Sequence, residues 1–149
     1  MRLTARSEYG LLALIDLACR YGDGPVSVRE IADRQGIPPK FLGQLFAALR
    51  KAGLVRASRG ARGGFELGVD PVGVSVLSVV EALEGPLAPT MCQSERGALC
   101  GRSGACAAGA VWGDAASALR DVFASATLAG LAGEQSVFDA SAIIAGGKV

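Results

Sequence analysis

Three cysteines lie close together in the second half of the chain, in the stretch MCQSERGALCGRSGAC from Met91 to Cys106. Cys92, Cys100 and Cys106 are separated by seven and then five residues. A fourth cysteine, Cys19, lies near the N-terminus, and the chain contains no histidine. Three thiols in a protein without histidine cannot all pair as disulfides among themselves, nor can they form a mixed Cys/His metal site.

Clustered thiols can bind a metal or react with oxidants. Structural zinc sites normally use four Cys or His ligands with at least one pair about two to four residues apart, so zinc fits this spacing poorly. Glycines at 97, 101 and 104 allow the loop to fold around an object larger than one ion. An iron–sulfur cluster is such an object. A metal-free thiol switch is the alternative.

The compartment is predicted from the N-terminal segment. Its uninterrupted apolar run, Leu11 to Ile15, has five residues and is bracketed by Glu8 and Asp16. This run is too short for a signal-peptide core or a membrane span. We therefore expect a cytoplasmic protein without membrane association, where closely spaced cysteines are more often metal ligands or redox sensors than structural disulfides.

Composition favours a helical protein, and the charge is concentrated in one basic segment. Half of the 149 residues are apolar and only 5% are aromatic, with abundant Ala, Gly, Leu and Val, which suits closely packed helices. The net charge is +1, but residues 29–62 contain eight basic and two acidic side chains, a local net charge of +6. Such a segment suits phosphate groups, although a solvated basic face would have the same composition.

The stretch SVREIADRQGIPPKFLGQLFAALRKAG predicts two short helices around a tight turn. Ser27 and Glu30 have the spacing of a capping box, which starts a helix. Gly36 ends that helix because glycine adopts the left-handed conformation at low cost, and Pro39 suits the first turn of the next. The apolar residues expected inside the second helix are Phe41, Leu42, Leu45, Phe46 and Leu49. This pattern is typical of a helix-turn-helix, with a plain helical hairpin as the alternative.

A glycine-rich hairpin is predicted directly after these helices. Two short alternating runs, Leu54 to Ala57 and Phe65 to Leu67, flank a loop that carries Arg59 and Arg62. A hairpin in this position is a wing, and arginines at a wing tip suit the narrow minor groove of A·T-rich DNA.

Two more helices are predicted after the wing. The first spans Val76 to Glu84 and the second spans Ala107 to Ala126. The second has a wide apolar stripe, which favours packing against a second copy in a dimer, with packing inside one chain as the alternative. Beyond Thr127 the sequence is small and mixed, and we expect a C-terminal tail that is frayed at AGGKV. Cys19 is expected to pack as a small apolar residue on the first helix.

The chain resembles the IscR, NsrR and RirA type of dimeric winged-helix regulators, which sense iron, nitric oxide or redox state through a cluster. The matching text is MRLT and EYGLLALIDLA at the start, IADRQGIPPKFLGQLFAALRKAGLVRASRGARGGFELG in the DNA-binding unit, and the three cysteines before AVWGDAASAL. The match covers roughly residues 1 to 135.

The expected fold is mainly α: a winged helix-turn-helix in 1–86, a cluster-binding loop in 87–107, and a dimerisation helix and tail in 108–149. The resemblance implies an iron–sulfur cluster, 4Fe–4S or 2Fe–2S, bound by Cys92, Cys100 and Cys106. It also implies a homodimer that reads palindromic double-stranded DNA with the helix from Pro39 and with the wing. The expected DNA contacts are Arg29, Pro39, Lys40, Phe41, Gln44, Arg50, Arg59 and Arg62.

Three departures from the resemblance matter. IscR-type proteins have a histidine ligand three residues after the last cysteine, where this chain has Gly109. NsrR-type proteins use an acidic residue of the first helix, supplied by the partner subunit, so Glu8 is the expected fourth ligand, with water, a small thiol or Cys19 as competitors. The seven-residue first spacing is closest to the RirA type, and Gly43 replaces a glutamate of the IscR-type recognition helix. The signal and the operator therefore do not transfer from IscR.

The predicted function is a DNA-binding regulator controlled by a cluster, and the alternative is a cluster-free winged-helix regulator switched by thiol oxidation or by a partner protein. An enzyme is not expected. The sequence has no histidine, no paired carboxylates at catalytic spacing and no phosphate-binding loop after a strand.

Overall fold

The computed structural model describes residues 3–94, 100–102 and 105–146 of the chain. In these residues it contains six α-helices and one two-stranded antiparallel sheet. In chain order they are α1 (Ala5–Cys19), α2 (Val28–Gln35), α3 (Pro39–Lys51), β1 (Val55–Ser58), β2 (Gly64–Leu67), α4 (Val76–Glu84), α5 (Ala107–Ser125) and α6 (Leu128–Gly146). The predicted mainly α class and winged helix-turn-helix are confirmed.

Helix α1 is the centre of the fold, because it packs against α2, α3, α4 and α6. Its Leu14 is fully buried, together with Ile31 of α2 and Leu45 and Phe46 of α3. Burying a side chain of this size contributes roughly 1.5–3 kcal/mol relative to exposure. The winged helix-turn-helix is therefore organised around a helix that also carries Glu8.

Local signals set the ends of α2 and α3 as predicted. The backbone N–H of Glu30 donates to Ser27 Oγ at 3.2 Å, and the backbone N–H of Ser27 donates to Glu30 Oε2 at 3.0 Å. Gly36 ends α2 with a φ of 65°, in the left-handed region. Pro39 begins α3, where its missing N–H costs nothing.

The wing is attached to the helices at its base. Strands β1 and β2 pair with Val55 opposite Leu67 and Ala57 opposite Phe65. The Phe65 ring stacks on Phe46 of α3 with centroids 4.5 Å apart. Val26 and Phe65 exchange backbone hydrogen bonds of 2.8 and 2.7 Å, which fixes the hairpin against the segment before α2.

A sixth helix follows Thr127, in the segment expected to be a C-terminal tail. Helix α6 begins at Leu128, which is fully buried, and Ala132 joins the same core beside α1. The apolar residues of α6 are spread around its circumference. Its sequence therefore lacks the one-sided periodicity by which amphipathic helices are recognised.

The prediction of a packed Cys19 was wrong. The residue is exposed at the last position of α1, although its sulfur donates a long hydrogen bond of 3.7 Å to the Ala132 carbonyl oxygen. Partial burial of the sulfur raises the pKa of the thiol.

Among the described helices, none has the length and apolar character needed to cross a bilayer.

Candidate functional site

Helix α3 presents one face to the core and one to solvent. Leu42, Leu45 and Leu49 are fully buried, whereas Lys40 and Gln44 are exposed. The exposed face is not crowded, since a Cβ at Gly43 would meet no heavy atom within 4 Å. An exposed helix face with a cation and an amide has the donors and acceptors that recognise phosphates and base edges.

Seven of the eight residues predicted to contact DNA are exposed: Arg29, Pro39, Lys40, Gln44, Arg50, Arg59 and Arg62. Phe41 differs because it is half-buried. Its ring packs edge-to-face on Tyr9 of α1, with centroids 5.9 Å apart. Phe41 therefore packs α3 against α1. Contact with DNA stays a prediction for Phe41 and for the seven exposed residues.

A buried ionic cluster joins α1 to the end of α2, and the sequence analysis missed it. The Asp16 side chain is 3% exposed and accepts hydrogen bonds from Arg34 Nε at 2.9 Å, Arg34 Nη2 at 2.6 Å, Gln35 Nε2 at 3.1 Å and Arg20 Nη1 at 3.2 Å. The hydrogen bonds to Asp16 raise the pKa of the Arg34 guanidinium. The available signal was an acidic residue inside the apolar run LLALIDLA.

The first turn of α1 is held by the last residue of α4. Glu84 Oε1 accepts hydrogen bonds from Thr4 Oγ1 at 2.5 Å and from Ser7 Oγ at 2.7 Å, and from both backbone N–H groups at 3.2 and 3.3 Å. Partial burial acts to raise the pKa of Glu84, but these hydrogen bonds outweigh it and hold the pKa below its ordinary value. This clamp fixes the backbone next to Glu8.

Glu8 lies at the rim of an apolar hollow of about 210 Å³. The hollow is lined by residues of α1, α4 and α5, including Leu11, Val80 and Phe123. The Glu8 carboxylate is exposed, and it forms no ion pair or side-chain hydrogen bond with any residue that the structure describes. It is thus accessible to a ligand or to another subunit.

The cysteine loop connects α4 to α5. Cys92 lies in a short 3-10 turn, Met91–Gln93, with its Sγ 3.0 Å from Thr90 Oγ1, and Cys106 directly precedes α5. All three loop thiols are free and at least partly accessible. Positions 97 and 104, two of the glycines on which the loop prediction depends, lie outside the described residues.

The structure does not bring the predicted ligands together. Within residues 3–94, 100–102 and 105–146, no three Cys, Asp or Glu side chains are close enough to hold one ion. The donor set nevertheless fits an iron–sulfur cluster in kind, because it offers three accessible, unpaired thiols from one loop. A Cβ at Gly109 would lie 3.9 Å from Cys106 Sγ, so position 109 adjoins the thiol and its glycine supplies no ligand. A cluster at this loop would therefore need a fourth ligand from another part of the protein.

Comparison with protein families decides the class of this protein. The family model Rrf2, described as an iron-dependent transcriptional regulator, matches residues 3–134. The chain belongs to the Rrf2 family of transcriptional regulators. Members of this family bind DNA and are not enzymes. The predictions of a DNA-binding protein and of a protein that is not an enzyme are therefore confirmed, as is the resemblance to IscR-type proteins.

Named relatives match this chain along almost its whole length. The protein rrf2 of Nitratidesulfovibrio vulgaris is 40% identical over 137 residues, covering 92% of this chain and 91% of the relative. The regulator IscR of Yersinia pseudotuberculosis is 36% identical over 139 residues, covering 93% and 84%.

Solved structures of CymR and IscR regulators have the same fold as this chain. CymR of B. subtilis, described as the global cysteine regulator, superposes with a TM-score of 0.74 at 32% identity and covers 90% of this chain and 98% of its own. IscR of T. potens gives a TM-score of 0.74 at 34% identity and covers 91% and 88%. Staphylococcus aureus CymR in an oxidized form gives 0.69 at 31% identity, covering 89% and 96%.

Proposed function

We propose that this Rrf2-family regulator is a homodimer whose binding to a palindromic operator is controlled by an iron–sulfur cluster. The ligands would be Cys92, Cys100 and Cys106 of one subunit and Glu8 of the partner subunit. The observation that carries the proposal is the set of three free, accessible thiols in the loop before α5. Glu8 supports it as an exposed carboxylate without an ion pair among the described residues. A DNA-binding regulator of this kind would act in the cytoplasm.

The chain offers a physical route from the proposed ligands to the DNA-binding unit. Glu8 and Asp16 lie eight residues apart on the single helix α1, a separation of about 12 Å along its axis. Asp16 in turn holds Arg34 at the end of α2, next to the turn that leads to α3. A displacement of Glu8 would therefore be transmitted along α1 to the Asp16–Arg34 ion pair, and from there to α3.

When bound, a cluster would supply iron-centred reactivity toward oxygen, nitric oxide or iron depletion. Three thiolates and one carboxylate make an uneven ligand set, since a carboxylate oxygen is a weaker ligand for cluster iron than a thiolate. We expect the Glu8 position to be the most easily displaced. The short turn that contains Cys92 contacts α5, and Cys106 directly precedes that helix, so ligand loss at the loop would act on α5.

Chromophore measurements on single variants test the ligand assignment. Protein purified without oxygen should absorb visible light, and Cys92→Ala, Cys100→Ala or Cys106→Ala should each abolish that absorbance. Glu8→Ala should assemble a cluster that is lost faster to a chelator, because only the weakest ligand is missing.

Cys19→Ala is the matched control for these variants and should retain the chromophore, since Cys19 lies at the α1–α6 contact. If Cys19→Ala bleaches the protein while Glu8→Ala has no effect, Cys19 is the fourth ligand and the assignment of Glu8 is wrong. Mössbauer spectra of the same samples would determine whether the cluster is 4Fe–4S or 2Fe–2S.

A second candidate is a metal-free regulator switched by thiol oxidation. It is favoured by the similarity to CymR, for which an oxidized form has been solved, and by the accessibility of the three loop thiols. This candidate predicts no visible absorbance in protein purified without oxygen. It also predicts a change in DNA affinity on mild oxidation that a reductant reverses.

A further inference from the structure

A polar cavity of about 330 Å³ lies over the C-terminal half of α1. Its floor is a single face of that helix, formed by Leu12, Ile15, Asp16 and Cys19 at helical spacing. Residues of α2 and α6, the two helices that pack against α1 here, complete the lining. The volume is within the range of small-molecule sites, about 300–1,000 Å³.

Two arginines give one part of the cavity a positive character. Arg20 and Arg34 both line it, and both hold Asp16, so two guanidinium groups are balanced there by one carboxylate. Their side chains are 37% and 34% exposed. Arg34 Nη1 and the Nε and Nη2 groups of Arg20 donate to none of the described residues. Guanidinium N–H groups with this freedom suit a carboxylate.

Helix α6 supplies a negative group to the same cavity. Asp139 and Gln135 line it, and Gln135 Nε2 donates to Asp139 Oδ1 at 2.8 Å. Within the described part of the chain, Asp139 Oδ2 accepts no hydrogen bond and Asp139 has no ion pair. The carboxylate therefore keeps an oxygen that can accept from an ammonium group.

We propose that this cavity is a binding site for a small zwitterion of the α-amino acid class. The ligand carboxylate would bind Arg20 and Arg34, its ammonium group would bind Asp139, and its side chain would lie on Leu12 and Ile15. The charges of the lining cancel, as they do in a zwitterion, which disfavours simple anions and simple cations. The site goes beyond the proposed function and does not depend on the cysteine loop.

The location gives such a ligand access to the DNA-binding unit. Arg34 and Gln35 are the last two residues of α2, immediately before the Gly36 turn and α3. A molecule that contacts both Arg34 and Asp139 bridges α6 to the helix-turn-helix.

The test uses the full-length protein and each of the twenty L-α-amino acids singly, first by the shift in melting temperature and then by calorimetric titration. At least one should bind saturably. Its analogue without the amino group and its analogue without the carboxylate should each bind about tenfold more weakly or worse, because a charged partner would then be unpaired.

Variants locate the binding. Asp139→Asn and Arg20→Gln should each weaken the binding amino acid by about tenfold or more. Glu134→Gln, which removes a charge from α6 at a residue that does not line the cavity, should leave it unchanged. A protein lacking Cys92, Cys100 and Cys106 should bind equally well. The proposal is overturned if no amino acid binds, if the deaminated analogue binds as tightly, or if Asp139→Asn and Arg20→Gln have no effect.

Discussion

The arginines of the wing differ in whether they form a salt bridge within the protein. Arg56, in strand β1, forms a salt bridge with Glu66 on the facing strand, with Nε 2.9 Å from Oε1. Arg59 and Arg62 are exposed in the loop beyond the strands and form no salt bridge within the described residues. The loop arginines are therefore the ones available to a DNA groove.

Arg59→Ala should weaken operator binding by about 1–3 kcal/mol, because a groove-contacting arginine loses both its charge and its hydrogen bonds. Arg56→Ala removes the same charge from the same hairpin and should weaken binding less. Fluorescence anisotropy on a selected operator duplex at fixed salt measures both. Equal effects of the two variants would mean that the wing contributes only net charge.

Asp16 and Cys19 show what single residues in a sequence conceal. The apolar spacing of α1 predicted a packed Cys19 and gave no role to Asp16, yet Asp16 is buried and Cys19 is exposed. The partners that make burial of Asp16 possible are Arg34 and Gln35, about twenty residues further along the chain. Periodicity describes one helix at a time and cannot indicate which distant cation will neutralise a carboxylate.

Asp16→Ala should lower the free energy of unfolding by on the order of 3 kcal/mol, because Arg34 keeps its charge at a partly buried position without a partner. Asp33→Ala removes an exposed aspartate of α2 and should change stability much less. Urea denaturation followed by circular dichroism measures both. If the two variants are equally stable, the ion pair does not stabilise the joint between α1 and α2.

At the scale of elements, helices with local end signals were predicted closely. Helix α4 has the predicted bounds. At its start the Ser75 hydroxyl oxygen accepts a hydrogen bond from the Ser78 N–H at 3.2 Å, and Gly85 ends the helix. Helix α5 ends one residue before the predicted position. Helix α6 was not predicted although Thr127 caps it, accepting a hydrogen bond from the Gly130 N–H at 3.2 Å, because its apolar residues show no one-sided pattern.

The clamp between α4 and α1 should make stability depend on pH. Since the folded pKa of Glu84 lies below its ordinary value of 4.5, its stabilising effect is complete above that pH. The effect is lost as the pH falls through the folded pKa. Glu84→Gln should therefore be less stable than the natural chain at pH 7, and the difference should shrink in acid.

Urea denaturation at several pH values between 7 and 3 tests this prediction. Glu134→Gln removes the same charge from an exposed position of α6 and should follow the natural chain at each pH. A difference between Glu84→Gln and the natural chain that stays constant with pH would show that the Glu84 charge is not what holds Thr4 and Ser7.

The molecule as a whole leaves α5 incompletely covered. Leu119 and Phe123 pack on a small core formed with α4, but none of the residues of α5 is buried. Val111 and Val122 are 64% and 62% exposed, and Trp112 is 47% exposed. One chain thus covers only part of the predicted apolar stripe, and a second copy on a two-fold axis is the simplest way to cover the rest.

A dimer should be observed by light scattering, with twice the 15.1 kDa mass of the chain. Val122→Glu should dissociate it, because a carboxylate would be buried without a partner at the interface. Ser117→Glu is the matched control: at 3.6 residues per turn, Ser117 lies on the side of α5 opposite the stripe, so its dimer should persist. A natural chain that stays monomeric at all concentrations would remove the two-fold axis, and with it the partner's Glu8 and the palindromic operator.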